Sequence, residues 1–403
     1  MKRHPLIIIF VTVLIDLVGF GMIIPLNPYL ARTFGASASQ VGWLMTIYSL
    51  MQFICSPFWG RISDSIGRRP VLLVCLAGVG FAHLGFAFAP SLVWLFVARF
   101  VAGLFGANIS TAMAYIADVT PPKDRSKGMG IIGAAFGLGF LIGPFVGGLL
   151  ATVGSHWGSA PPFGPSFGAV VAALLSLLNF SFAWFLLPES LQPQAMKQPQ
   201  VRLSRFASML GYLSQPTLGS LMIVYFAGSF AMAHMEASLF LYVQDRFGWD
   251  LMKASFGFAY VGAVMVFTQG FLIRKLLPRW GEARLLLSGQ VLATLGFVGM
   301  AIAPTVPWMA LAVTLLGLGI GMTNPSLSGA MSLMTNSGEQ GRMLGLNQSL
   351  SALGRILGPV TGGYCYQMFF PASPFVIASV LMFCGFLIAV GVVGGIPNVQ
   401  KQS

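Results

Sequence analysis

GRISDSIGRRP (residues 60–70) gathers Arg61, Asp64, Arg68 and Arg69 into one short segment of a chain that is only 8% charged and 56% hydrophobic. On each side of it lies an apolar run of roughly twenty residues, the length that crosses a bilayer as a helix. Charge caught between two such runs reads as a connection at a membrane surface. Similar runs recur through all 403 residues, and the mean hydropathy is +0.82. In hydrocarbon every backbone N–H and C=O needs an internal partner, so each run is read as a helix. The alternating segments of about ten residues that would mark a spanning β-barrel are missing.

Working outward, the pattern predicts twelve spans: 5–31, 40–60, 71–89, 92–118, 127–152, 166–187, 217–243, 252–274, 284–303, 307–331, 342–369 and 373–395. At 1.5 Å per residue, each is long enough for a core of about 30 Å. The expected fold class is an all-α membrane protein. Of the 22 basic residues, Arg32, Arg246 and Lys253 fall in outer connections, and Arg99 and Arg355 fall inside spans. The others lie on one side, which by the positive-inside rule places both termini in the cytoplasm. MKRHPLIIIF at the start resembles a leader, but Asp16 interrupts its run and no small-residue cleavage site closes it, so a retained first span is expected.

The net charge of +12 is dispersed over short connections rather than forming a basic face, so nucleic acid is not expected as a partner. Cys55, Cys75, Cys365 and Cys384 lie in or beside apolar spans without a CxxC, and read as small hydrophobes. The long polar stretch 188–216, rich in Pro and Gln, divides the chain. The expected organisation is a bundle over 1–190, a cytoplasmic linker over 191–216 and a second bundle over 217–403. The halves look related. GFLIGPFVGG (139–148) is echoed 215 residues later by GRILGPVTGG (354–363), and Lys127 and Gly130 fall on Arg342 and Gly345 at that offset. Two pseudo-symmetric six-helix bundles around a central cavity are the arrangement this implies.

The opening segment has its own physical logic. Gly67 permits a tight turn between two helices. Asp64 at a helix end is expected to interact with a neighbouring helix N-terminus. Arg68 is suited to clamp a carboxylate, with Asp118 the candidate. Arg69 reads equally as a topology signal. GRISDSIGRRPVLL, through Gly60, Asp64, Gly67, Arg68 and Arg69, resembles the signature loop of the major facilitator superfamily; the stretch 270–286 resembles a degenerate second copy without the Asp. VARFVAGLFGA (97–107) resembles that family's span-four motif. GAAFGLGFLIGPFVGG (133–148) resembles the span-five motif of its drug/proton antiporters, with Gly139, Gly143, Pro144, Gly147 and Gly148 as helix-packing positions. LIDLVGFGMIIPLNPYL (14–30) is similar to span one of tetracycline/proton antiporters, Asp16 included. The resemblance implies alternating access, with Gly60, Asp64, Gly67, Arg68, Arg69 and Asp118 forming a cytoplasmic gate.

Asp16 and Glu236 are the acids expected within spans. Intramembrane carboxylates cost roughly 2.5–3.5 kcal/mol at the bilayer centre, and their default reading is an ion or substrate pathway. Helix rise puts Asp16 and Arg99 at similar depths, so Arg99 is expected to face Asp16 as a proton-coupling switch; a permanent structural pair is the rival. Tyr225, Ser229, Met232, Glu236 and Phe240 share one helical face, suited to an amphipathic substrate, with proton carriage an alternative role for Glu236. Arg355 is expected to pair with Glu236, Asp16 or a substrate anion. Asn324, Asn347 and Gln348 are further substrate-binding candidates. His83 and His234 read as packing residues.

The expected function is proton-coupled efflux of hydrophobic or amphipathic compounds by a monomer in the bacterial inner membrane. The partners are a small amphipathic molecule, protons and lipid. Its alternative is a transporter of the same fold for a lipid, sugar or metabolite, possibly a facilitator. There is no P-loop, metal-ligand pattern or Ser–His–Asp set, so neither an enzyme nor a cofactor is expected, and the proton gradient supplies the energy.

Overall fold

The structure, a computed structural model, describes residues 5–120, 125–191, 211–335 and 340–396. These are helical, with no strand among the described residues. The helices are α1 (Pro5–Thr33), α2 (Ala38–Ile66), α3 (Arg68–Ala87), α4 (Leu92–Phe105), α5 (Ile109–Val119), α6 (Arg125–Trp157) and α7 (Ser166–Leu186). After residues 192–210, which lie outside the described set, come α8 (Pro216–Phe247), α9 (Leu251–Phe267), α10 (Ile273–Ala301), α11 (Val306–Leu333), α12 (Gln340–Met368) and α13 (Ser373–Val392).

Ten stretches are long and apolar enough to cross a membrane. One of them, Leu251–Ala301, is 51 residues, about 77 Å at helical rise and therefore more than twice the core thickness. It bends at Gly281, where φ is 69° and ψ 170°, so it forms two rods. A single π turn, Thr268–Leu272, joins α9 to α10. With α12, 29 residues long but more polar, the described rods account for the twelve expected spans.

Three local features differ from the sequence reading. The charged segment 60–70 is not a loop: α2 continues to Ile66 and α3 starts at Arg68, leaving Gly67 as a one-residue joint with φ 106°. Likewise the helix runs through Arg274, Lys275 and Arg279 to the bend at Gly281. The predicted span 92–118 is two helices, α4 and α5, separated by Gly106–Asn108. Hydropathy is blind to all three, because a helix keeps its backbone bonds beyond the apolar region and an apolar run can break without becoming polar.

Contacts group the chain into two units. The first is Met1–Ser37, Leu44–Gln200 and Gly248–Ala259; the second is Ala38–Trp43, Val201–Phe247 and Tyr260–Ser403. In the first, α1 packs on α6 and α7, and α3 on α7 and α4. Its core includes Leu17, Leu72, Leu76, Tyr115 and Ile116. In the second, α8 packs on α12 and α13, and α10 on α11 and α13. Its core includes Leu221, Met222, Leu286, Met331 and Leu346. Large apolar side chains also face outward, such as Phe81 at 65%, Val93 at 72%, Leu178 at 65% and Phe185 at 72% exposure. Water would not stabilise that surface; lipid does.

The glycine ladders on α6 and α12 explain the internal echo. A Cβ on Gly143 would lie 2.6 Å from the Cα of Gly21, and one on Gly139 would lie 2.7 Å from the Cβ of Leu17. Gly147 abuts the Met22 carbonyl, whereas Gly148 faces Ser255. On α12 a Cβ on Gly354 would lie 2.9 Å from the Phe230 nitrogen, and one on Gly358 would clash with Ala233. Glycine thus lets α6 close on α1 and α12 close on α8 in the same manner. Pro144 lies within α6 without ending it.

Candidate functional site

In the first unit the break between α4 and α5 organises the polar groups. Asn108 is 4% exposed and its Nδ2 donates to Oδ2 of Asp16 at 3.1 Å. The carbonyls freed near the break find side-chain donors. Gln52 Nε2 donates to the Gly106 oxygen at 2.8 Å, and Trp59 Nε1 to the Leu104 oxygen at 2.7 Å. In a membrane these donors are what makes an interrupted helix tolerable.

Arg99, on α4, is 3% exposed, yet it does not meet Asp16. Its guanidinium lies over the Tyr48 ring at 4.3 Å and the Phe20 ring at 6.0 Å. Those two rings stack 4.9 Å apart. Nε and Nη1 of Arg99 have no hydrogen-bond partner among the described residues. The expected Asp16–Arg99 pair is therefore replaced by two separate attachments, carboxylate to Asn108 and guanidinium to aromatic faces. Arg99 meets α1 one turn beyond Asp16: Phe20 follows Asp16 by four residues, about 6 Å along α1. Gln52 Nε2 also approaches the Tyr48 hydroxyl at 3.4 Å. Asp16, Asn108, the Gly106 carbonyl, Gln52, Tyr48, Arg99 and Phe20 are thus linked in a circuit by these hydrogen bonds and ring contacts, with the chain itself joining Gly106 to Asn108 and Asp16 to Phe20.

In the second unit α8 carries most of the candidate substrate-binding residues. Between Ala231 and Val243 every residue is buried except Met232 and Glu236, which are half-buried and one turn apart. Tyr225 and Ser229 continue that open stripe; Phe240 does not, being 6% exposed and packed. Glu236 has no hydrogen bond or ion pair among the described residues. Ser229 Oγ bonds Ser351 Oγ on α12 at 3.1 Å, and Arg355 Nη1 donates to that same Ser351 Oγ at 2.7 Å. The Arg355 side chain therefore turns back toward Ser351. The expected ion pair between Arg355 and Glu236 is not formed among the described residues. Asn347 is 2% exposed, and neither atom of its amide has a partner among the described residues. Asn324 is exposed on α11. The Gln348 side chain lies outside the described residues. His83 and His234 are packed: Ser176 Oγ lies 3.4 Å from His83 Nδ1, and Thr361 Oγ1 lies 2.8 Å from His234 Nε2.

The charged joint at Gly67 builds a third centre. Arg68, 7% exposed, bonds Asp64 Oδ1 at 2.5 Å through Nη1 and Asp118 Oδ2 at 3.2 Å through Nε. It bridges two carboxylates rather than gripping one. Ser63 accepts from the same Nη1 at 2.8 Å. The helix N-terminus is capped by Glu189 and not by Asp64: the N–H groups of Arg68 and Arg69 donate to its Oε1 and Oε2 at 2.9 and 3.0 Å. Glu189 satisfies donors that Asp64, engaged by Arg68, does not reach. Ser190 Oγ adds a bond to Asp118 Oδ2 at 3.1 Å. Arg69 is anchored on Trp184, whose carbonyl accepts from Nη2 at 2.5 Å and whose ring lies 5.7 Å away. Gly60 makes no close approach of its own; a Cβ there would touch only Ser110, at 4.0 Å.

The sequence signature of the Major Facilitator Superfamily matches residues 9–359 and 271–402. The chain belongs to that superfamily. It is 33% identical over 368 residues to the class B tetracycline resistance protein of Escherichia coli, covering 90% of this chain and 89% of that one. The class C protein of Escherichia coli is 34% identical over 362 residues, with 89% of each chain covered. Among solved structures, the human organic anion transporter MFSD10 (TETRAN) superposes with a TM-score of 0.71 at 25% identity, over 96% of this chain and 99% of that chain.

The superfamily is one of membrane transporters, not enzymes, so these polar groups belong to a multi-pass transporter of small molecules. Sequence reasoning missed four of its residues. Asn108 was signalled only by a lone Asn among small residues in an apolar run. Tyr48 and Gln52 stood one turn apart in α2, and Glu189 followed the last apolar residue of α7 in the stretch PES. Each acts through a partner far away in sequence, which no local pattern encodes.

Proposed function

We propose that this superfamily transporter exports amphipathic compounds in exchange for protons, from the cytoplasmic membrane of a bacterium, as a monomer with both termini inside. The supporting observation is the circuit around Asp16. A half-buried carboxylate lies at a helix interruption, one turn from a buried guanidinium that is held elsewhere. When Asp16 is ionised it attracts Arg99; when protonated it attracts it no longer, and the Tyr48 and Phe20 faces retain the cation. Proton binding at one oxygen thereby shifts a charged side chain by about one turn. Movement of Arg99 displaces Tyr48, which Gln52 ties to the break between α4 and α5. Substrate occupies the open stripe of α8, and alternating access carries it across. No cofactor enters the scheme; the proton gradient drives it. Kinship with proteins named for tetracycline resistance agrees with an exported amphipathic compound.

The test is proton release from the purified chain when lipophilic cations and neutral drugs are added, with Asp16→Asn beside wild type. Release from wild type and its loss in Asp16→Asn is the expected outcome. Binding without release in wild type would refute proton exchange and leave a facilitator of a lipid, sugar or metabolite.

A further inference from the structure

The bend at Gly281 repeats the joint at Gly67 but not its chemistry. At Gly67 the guanidinium of Arg68 is met by two carboxylates. Before Gly281 the basic residues Arg274, Lys275 and Arg279 are exposed and make no ion pair among the described residues. Glu282 is the one acid between Asp250 and Glu339. It lies against α11, where a Cβ on Gly329 would come 3.4 Å from its Cγ. The start of α10 is two-faced. Ile273, with Leu272, Leu276 and Leu277, packs on Leu285 and Met322, and the three cations occupy the open face. An apolar column leads to them. Phe267 and Phe271, 55% and 48% exposed, stack with ring centres 5.3 Å apart. Lys275 Nζ lies 4.3 Å from the centre of the Phe271 ring. The π turn Thr268–Leu272 falls within this column, and such turns recur at functional positions. Gly270 is exposed between the two rings in sequence, and a Cβ there would meet nothing within 4 Å, which leaves a notch beside the column. Membrane topology accounts for the cations. It does not account for the stacked rings that lead to them or for the notch.

We propose that this face binds an anionic phospholipid, its headgroup on Arg274, Lys275 and Arg279 and an acyl chain along Phe267 and Phe271 in the notch at Gly270. Charge complementarity selects the headgroup, because cations without a carboxylate of their own attract an anionic lipid. The adjoining rings select a molecule whose anionic head is joined to an apolar tail. A soluble phosphate satisfies only the cations, and a lipid of zero net charge only the rings. The face lies on α9 and α10, apart from the stripe on α8 and the circuit around Asp16, so its occupancy is independent of proton exchange.

Lipid binding to the purified full chain in a neutral detergent tests it, read by native mass spectrometry as dioleoyl phosphatidylglycerol is titrated in. Dioleoyl phosphatidylcholine and soluble glycerol phosphate are the comparison probes. Wild type is expected to bind phosphatidylglycerol saturably and about tenfold more tightly than phosphatidylcholine. The triple variant Arg274→Gln/Lys275→Gln/Arg279→Gln is expected to bind the two lipids alike. Gly270→Leu changes no charge and places its side chain in open space, so it keeps the fold while filling the notch. It is expected to weaken phosphatidylglycerol binding about fivefold, roughly the worth of one buried methylene or two. Asp16→Asn is expected to bind as wild type does. Equal affinity of wild type for the two lipids, or a preference kept by the triple variant, would overturn the proposal. Undiminished binding by Gly270→Leu would overturn the seating of the acyl chain, and full displacement by equimolar glycerol phosphate would make the ligand a soluble anion instead. Proton release is measured separately, so failure of the exchange mechanism leaves this result intact.

Discussion

Among the described residues Arg99 is a buried cation without a carboxylate partner, and Tyr48 is what makes that tenable. A desolvated guanidinium over an aromatic face gains roughly 2 kcal/mol. Replacing Tyr48 by Ala removes the nearer of its two rings and leaves Asp16 as the competing partner. Tyr48→Ala is therefore expected to lower substrate-triggered proton release about thirtyfold, since 1.4 kcal/mol corresponds to a factor of ten. Tyr48→Phe, which keeps the ring, is expected to retain it. Equal losses in the two variants would assign the effect to the hydroxyl that Gln52 approaches. Asp16 and Arg99 illustrate how far sequence reaches at this scale. Both were legible as charges in the wrong solvent, and their depths were nearly right. Their partners were not, because a cation–π face and a side-chain amide are chosen by packing between helices distant in sequence.

At the scale of elements, α2 and α3 form a single bent unit. Gly67 has φ 106°, where a Cβ is strained, and an added Cβ would also lie 2.5 Å from Oε2 of Glu189. Gly67→Ala is expected to cost about 1–3 kcal/mol of stability. Glu189→Ala, losing the cap on α3, is expected to cost about 1 kcal/mol. Because part of the first cost is the collision with the second residue, the double variant should lose less than the sum. Thermal unfolding of the four proteins in detergent measures this, and strict additivity would mean that the carboxylate moves aside freely. The turn at Gly67 was legible as a glycine between charges, since only such a residue allows that backbone. The interruption at Gly106–Asn108 was not. Nothing in an apolar run records whether its carbonyls are held by the next turn or by Gln52 and Trp59.

At the scale of the molecule, the rods and their number follow from hydropathy, because a bilayer imposes length and apolarity on every crossing. The exposed Phe81, Val93, Leu178 and Phe185 complete the argument by giving the protein a surface that only lipid suits. The asymmetry of Lys and Arg leads to a prediction of orientation. Cysteines introduced at Gln402 and Gln192, in a variant lacking the native four, should both resist a membrane-impermeant maleimide in intact cells and react after permeabilisation. Labelling of either in intact cells would reverse the assigned sidedness. The pairing of the halves was legible in one glycine–proline ladder, since close helix approach leaves few residue choices. The open stripe on α8 and the polar residues of α12 were legible only as polar residues of undetermined partner.

The joint at Gly67 has a mechanical meaning. A flexible loop would absorb displacement; a single residue between two long helices has no slack. Tilting α2 must carry Arg68 with it, and Arg68 is fastened to Asp118 at the end of α5, while the first amides of α3 are fastened to Glu189 beyond α7. Four helix ends are thus geared together, so the first unit transmits a tilt at its charged end as one stiff lever.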